Sequence, residues 1–527
     1  MIKSNNKASY LLALDNGTQS IRALLFDLKG KIVAKSKVDI EPYFSKHPGW
    51  AEQEPNYYWT MLGQACQQLW PELDKKNIHK SHIKAVALTC QRATMVNLDV
   101  EGKPLRPAIV WLDQREQHNL DTMSWYWRAL FTLVGETKTI EYFRRQAEAN
   151  WIKHQQPDVW KNTHKLMLLS GFHSFKLTGN YVDSISSQVG YLPFNFKRQS
   201  WCKPLDWRWQ ALPITKDMLP TLIPCGESLG VISEQASLET GIPQGLPLIS
   251  AGSDKACEVL GSGCLTPDTG SLSYGTTATF NTTNTNYVEA IKHLPAYPAA
   301  MPNVYNTELI IQRGYWMVSW FKREFGLKEQ QLASKQGIAT EVLFDDLLAQ
   351  VPAGSMGLVL QPYWNPGIRT PGPEAKGAMI GFGDVHTRAH IYRAIIEGIG
   401  YALREGKELT ERKTGIKITK LMVSGGGSQS DQAMQITADI FGMPVQRPHT
   451  FETSGLGAAI NAAVGVGLYA DYTQAVDNMT HGGKVFTPIN ANKKLYHQLY
   501  HSVYQKMYSR LNPLYKAIRS ITGYPSK

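Results

Sequence analysis

The 527-residue chain has no apolar run approaching the roughly 18 residues that a membrane-crossing helix requires, so no membrane partner is expected. Cysteine is scarce. The six at Cys66, Cys90, Cys202, Cys225, Cys257 and Cys264 form no CxxC pair, which argues against a zinc ribbon or a disulfide framework and for reduced thiols. Neither GxxxxGK[ST] nor GxGxxG occurs, so the two commonest nucleotide loops are absent and a nucleotide would need another device. Runs of five or more basic residues are also missing, although the formal net charge is +11. The excess is scattered and no nucleic-acid motif accompanies it, so the expected partners are anionic small molecules and not nucleic acid. The first residues, MIKSNNKASY, lack the apolar core of a signal peptide, and the expected location is the cytoplasm.

What is present is an ordinary globular composition, with 43% hydrophobic and 19% charged residues, long enough for at least two domains. Residues 11–14, 21–27 and 32–38 read as consecutive strands and 83–88 as another. Between them an amphipathic helix begins at 56–70, with Trp59, Leu62, Cys66 and Leu69 at helical spacing. Residues 116–175 are mostly helical in pattern and rich in tryptophan. Residues 389–413 form a long helix with Ile391, Ala394, Ile395, Ile399 and Ala402 on one face. Residues 492–521 are largely helical, with Tyr496, Tyr500, Tyr504 and Tyr508 as a stripe packed on the body.

Two segments share an outline. In LALDNGTQSIRALLFD an apolar strand stops at Asp15, small and polar residues turn the chain, and the apolar run resumes; SLSYGTTATFNTT again gives strand, Gly-Thr turn, strand. Such a turn exposes backbone N–H groups in a concavity, and threonine hydroxyls add donors, which suits phosphate oxygens. Asp15 could hold Mg2+ through water, because that ion prefers carboxylate, water and phosphate ligands. Singly, each segment is most simply a hairpin. One in each half is what a nucleotide clamped between two related domains needs.

The motif D-x-G-T-x-S-x-R (Asp15, Gly17, Thr18, Ser20, Arg22) resembles the first phosphate loop of the FGGY carbohydrate kinases, relatives of glycerol kinase and xylulose kinase. PGWAEQEP at 48–55 is similar to that family's P-G-W-x-E-Q-x-P, and Trp111, Asp113 and Arg115 to its W-x-D-x-R. SAGSDKACEVLGSG resembles the loop carrying its catalytic aspartate, which falls on Asp254. GAMIGFGDVHTRAHIYRAIIEG at 377–398 resembles its C-terminal signature, and SGGGSQS with ETSGLGAA its adenosine pocket. The matches lie in the family's order from about residue 10 to 465.

The resemblance implies an α/β protein of two ribonuclease H-like, actin-like ATPase domains around a central cleft. The N-terminal domain would be 1–264, with the sugar site, first phosphate loop and base; the C-terminal domain 265–490, with the second loop and adenosine pocket; and 491–527 a helical tail. It implies ATP-dependent phosphorylation of a sugar, ketose or polyol, with a pentulose such as xylulose or ribulose favoured over glycerol, and ATP and Mg2+ as cofactors. Self-association into a homodimer stays open. Asp254 would take the hydroxyl proton, its plain alternative being a helix N-cap. Gln91, Arg92, Trp111, Asp113 and Asp254 would bind the sugar, although most of the 14 tryptophans must be core. Asn16, Gly17, Thr18, Gln19, Arg22, Gly275, Thr276, Thr277, Gly426, Gly427 and Gln429 would bind ATP, with Gly426 and Gly427 letting adenine lie flat on the backbone, and Asp15 would position Mg2+.

The sequence also departs from the family. Arg92 is followed by Ala93 where glycerol kinase has Arg-Glu and xylulose kinases have Gln-Met-His across 91–93. Glu148 stands where a lysine precedes the tryptophan at Trp151, and the stretch 116–165 is expanded. A non-catalytic sugar-sensing protein on the same fold is the alternative, which loss of Asp15 or Asp254 would have favoured. An actin- or chaperone-like ATPase without a sugar is a third reading, opposed by the matches between Gln91 and Arg115.

Overall fold

The computed structural model describes residues 9–365 and 371–524; the ends of the expected N-terminal domain and tail, 1–8 and 525–527, lie outside them. Two large sheets organise the molecule. The first has the spatial order Ile32–Asp39, Ser20–Asp27, Tyr10–Asn16, Ile83–Cys90, Pro247–Ile249, Ser228–Val231. The second runs Tyr305–Ile311, Ala278–Asn284, Thr269–Tyr274, Lys420–Ser424, Val445–Pro448, Gly482–Phe486, with Tyr297–Pro298 added at the outer edge. Directions along the six shared positions are the same in both sheets: two antiparallel pairings, two parallel, one antiparallel. The two halves therefore repeat one ribonuclease H-like topology.

Strand Tyr10–Asn16 is buried on both faces, as a central strand in a covered sheet must be. Leu12, Leu14, Ile21, Ala23 and Leu25 face helix Pro55–Asp74 through Tyr58, Leu62 and Leu69. Leu11, Ala13, Leu24 and Phe26 face helix Thr453–Gly465 through Leu456, Ala459 and Ile460, so an element late in the chain closes the first sheet. Helices Thr453–Gly465 and Asp254–Gly261 cross at glycines: a Cβ on Gly261 would lie 2.0 Å from the Thr453 carbonyl oxygen, and one on Gly457 would lie 2.0 Å from that of Cys257. Only glycine permits this approach of backbones.

The expected helical stretch contains a strand. Lys165–Leu168 pairs antiparallel with Met95–Leu98, because the short apolar KLML meets an open sheet edge and tertiary pairing overrides the helical pattern around it. The tryptophan-rich helices before it build a separate core with Phe131, Leu166, Phe194, Trp127, Trp160 and Trp207. In the tail, helices Asn490–Leu499 and Gln505–Thr522 are joined by a π-turn at Tyr500–Tyr504, and Tyr496, Tyr500 and Tyr504 are buried in the core of the second half. Tyr508 is only partly buried. Among the described residues no helix is long and apolar enough to cross a membrane.

Candidate active site

The first turn is braced from behind. Asn16 O accepts from Gln91 N at 2.9 Å, Gly17 N donates to Ser20 O at 3.1 Å, and Gln19 O accepts from Ile40 N at 3.0 Å. The N–H groups of Thr18 and Gln19 donate to no acceptor among the described residues. In the second turn Gly275 O and Thr276 O accept from Tyr315 N and Trp316 N at 3.1 and 3.2 Å. The amides of Thr276 and Thr277 are left equally free among the described residues. Both turns thus tie their carbonyls to the body and leave donors for an anion.

Asp15 is 3% exposed. Its Oδ2 accepts from Arg22 Nη1 at 3.0 Å, across the register that pairs the two residues. Its Oδ1 accepts nothing among the described residues. Burial pushes the Asp15 carboxyl up to about 6, against the pull of Arg22, with Asp254 and Glu452 adding to the rise. A buried carboxylate with one free oxygen and a raised pKa fits a hydrated cation, whose charge would restore its ionisation. Arg22 is shared with Glu452, 3.5 Å from Nε.

Asp254 opens helix Asp254–Gly261, but the cap position is Ser253, so Asp254 is the first helical residue and not the cap. Its Oδ1 accepts from Lys255 N at 2.8 Å, and its Oδ2 accepts nothing among the described residues. Burial raises its pKa, and the charges of Lys255 and then Arg92 hold that rise back. Asp15 and Asp254 are connected through one contact: Thr89, in register with Asp15, donates Oγ1 to Gly252 O at 3.0 Å, two residues before Asp254.

Among the residues expected to bind the sugar, Gln91 is 4% exposed; it donates Nε2 to the Tyr58 hydroxyl at 3.1 Å and leaves Oε1 without a partner among the described residues. Arg92 spans the halves, donating Nη2 to Glu308 Oε1 at 2.9 Å and lying 5.3 Å from the Tyr297 ring centre. Trp111 is 36% exposed, so it is not core, and donates Nε1 to Thr18 Oγ1 at 3.1 Å, which joins it to the first turn.

Three assignments change. Asp113 does not offer its carboxylate: Oδ1 accepts from Arg115 N and Nε, and Oδ2 from Arg115 Nη2 and Ala51 N, all within 2.9 Å. Arg115 is held 4.0 and 4.5 Å from the ring centres of Trp50 and Trp151 and 3.0 Å from Glu52, so the two motifs PGWAEQEP and WLDQRE meet as a scaffold under Trp111. The Asn16 side chain turns inward, its Oδ1 accepting from His173 Nε2 at 2.9 Å and its Nδ2 donating to Gly17 O at 3.1 Å, so it braces the turn from behind. Burial pushes His173 down to about 3, which keeps it neutral. Gly427 is glycine for packing, since a Cβ there would sit 2.2 Å from the Tyr315 ring, whereas Gly426 has open space on that side and is the position that admits a flat base. Gln429 is exposed, with its carbonyl oxygen accepting from Arg447 Nη2 at 3.1 Å.

Sequence reasoning missed Glu308, Tyr297, His173, Tyr315 and Arg447, which no local pattern marks. It also passed over Lys255, which stands beside Asp254 in the quoted motif.

Residues 10–261 match the profile described as FGGY family of carbohydrate kinases, N-terminal domain, and 270–466 that of the C-terminal domain. The chain is 31% identical over 500 residues to the uncharacterized sugar kinase YgcE of Escherichia coli (strain K12), covering 92% of this chain and 91% of that one. It is 26% identical over 494 residues to a xylulose kinase of Lactococcus lactis subsp. lactis (strain IL1403), covering 93% and 95%. A solved xylulose kinase from Rhodospirillum rubrum superposes with a TM-score of 0.77 at 25% identity, covering 96% and 100%.

Proposed function

The chain belongs to the FGGY family of carbohydrate kinases, and from that premise we propose that this ATP-dependent kinase phosphorylates a ketose, with a pentulose such as xylulose or ribulose as the preferred acceptor. The observation that carries the reading is the Oδ2 of Asp254, which accepts nothing among the described residues and lies between a contact of Gly252 with Thr89, the register partner of Asp15, and a contact of Lys255 with Ser273, on the strand that leads to the second turn. The acceptor hydroxyl gives its proton to that oxygen as its own oxygen bonds to the γ-phosphorus, and the bond from γ-phosphorus to the bridging oxygen breaks to release ADP. The amides of Thr18, Gln19, Thr276 and Thr277 receive phosphate oxygens, Arg22 assists, and Gly426 borders the adenine. Mg2+, held through water on Asp15, would neutralise phosphate charge when bound. Gln91, Arg92 and Trp111 orient the acceptor. Arg92 followed by the small Ala93 supports a longer ketose over glycerol, because the carboxylate of an Arg-Glu pair is missing and Arg92 instead turns to Glu308. The pairing of donors and acceptors around a polyol is what sets such a choice.

The test is Mg2+-dependent ADP release over pentuloses, hexuloses, pentitols and glycerol. Stimulation greatest with a pentulose is expected. No acceptor raising turnover above the water-driven background would refute the reading, in favour of a protein that senses a sugar without phosphorylating it.

A further inference from the structure

Lys255 carries a largely buried positive charge that the phosphoryl-transfer scheme above does not use. Its side chain is 18% exposed and that of Glu258 8%, with Lys255 Nζ 2.7 Å from Glu258 Oε2. The pair stands i,i+3 on helix Asp254–Gly261, so the helix itself brings the two charges together. Each partner then reaches out of the helix. Lys255 Nζ donates to Ser273 Oγ at 2.7 Å, and Glu258 Oε1 accepts from Ser424 Oγ at 2.7 Å. Ser273 and Ser424 are register partners on parallel neighbouring strands, so one ion pair ties two adjacent strands to the helix. Ser273 lies two residues before Gly275 of the phosphate turn, Ser424 two before Gly426 of the adenine-side turn, and Lys255 directly follows Asp254.

We propose that Lys255 is a positioning residue: with Glu258 it fastens the helix that presents Asp254 to the roots of both nucleotide-side turns, so that base and phosphate grip keep one register. The inference rests on the kinase reading. Desolvating two charges makes a buried ion pair a poor source of net stability, and its best-attested use is to specify one arrangement among alternatives. The groups fit that use. Arginine keeps the charge and reaches both partners, whereas methionine fills the space but leaves Glu258 and Ser273 without their donor. Transfer depends on the acceptor oxygen and phosphorus meeting in line, and displacement of about 1 Å can cost on the order of 10²-fold.

The experiment compares wild type with Lys255→Met, Lys255→Arg and the double variant Lys255→Met/Glu258→Met, which removes the pair without orphaning a charge. Hydrogen exchange of the ligand-free proteins over 273–278 and 424–429 reads the register directly, and acceptor-dependent turnover reads its consequence. Lys255→Met is expected to speed exchange of the hydrogen-bonded amides flanking both turns about tenfold, leave helix Pro55–Asp74 unchanged, and lower kcat about 10²-fold with the acceptor KM within about threefold. Lys255→Arg should return both readouts to near wild type. The double variant should refold and stay slow. Unchanged exchange at the two turns in Lys255→Met, or a double variant with wild-type kcat, would overturn the proposal. Absence of acceptor-stimulated turnover in the wild type would count against the kinase reading alone, because the exchange arm still decides the role of Lys255.

Discussion

The two turns occupy the same place in two sheets of the same strand order, and their chemistry is unlike. In the first half the position one pair back from the turn is Asp15, set against Arg22 on the next strand and Thr89 on the parallel neighbour. In the second half the same position is Ser273, set against Thr279 and Ser424. One sheet ends in a carboxylate paired with Arg22, a cation it shares with Glu452, the other in hydroxyls that reach back to Lys255 and Glu258. Under the proposed function a duplicated fold divides the labour: the first turn would face the charge that a metal nucleotide brings, and the second would offer neutral donors. Thr89 and Ser424 then connect their strands to opposite ends of the same stretch, Gly252 and Glu258, so that Asp254 lies in the segment both halves share.

The difference can be broken most severely at Asp15. Asp15→Ala should lower acceptor-dependent turnover about 10³-fold at saturating Mg2+, while Ser273→Ala, at the matching place, should cost no more than about tenfold. Steady-state assays of the two variants side by side decide whether the halves are chemically distinct.

A second way concerns stability without metal. A carboxyl that titrates near 6 when folded and near 3.8 when unfolded binds its proton more tightly in the folded state, so stability falls as pH rises through that window and stays low above it. In EDTA, Asp15→Asn should therefore be more stable than wild type at pH 7.5, by about 3 kcal/mol at most, and equal to it below about pH 3. Denaturant titrations at the two pH values measure the gap. Ser273→Ala should leave no such pH signature.

The glycines of the adenine-side turn sharpen the picture within the second half. Gly427→Ala forces a Cβ into the Tyr315 ring and should cost about 2 kcal/mol in chemical denaturation. Gly426→Ala has room, so it should leave stability intact and weaken ADP binding in calorimetry. The smallest effect is expected at Thr276→Val, which removes one exposed hydroxyl donor and should raise the KM for ATP about fivefold, near 1 kcal/mol.

Much of this was legible in the amino-acid order. The turns at DNGTQS and YGTTAT, the Asp254 loop and the long helix Arg388–Thr414 are contiguous, so propensity and pattern mark them directly. Glu308 and Tyr297 were not legible, because their meeting with Arg92 depends on how the loop after Ile83–Cys90 meets the outer strands of the second sheet. Asp113 misled for a related reason: a carboxylate in a sugar-kinase motif reads as a ligand, and only the fold reveals that Arg115 and Ala51 consume both its oxygens. Lys165–Leu168 looked helical because four residues carry no period of their own, and the open edge of Met95–Leu98 decided their form. Local signals mark the turns; long-range packing brings Arg92 to Glu308 and Tyr297.

The most direct test of the account is Asp254→Asn, assayed for pentulose-stimulated ADP release and, in parallel, for ADP binding by calorimetry. The amide keeps the size of the carboxyl and cannot take the hydroxyl proton. The account predicts turnover reduced about 10³-fold with ADP affinity unchanged; turnover within about threefold of wild type would contradict it.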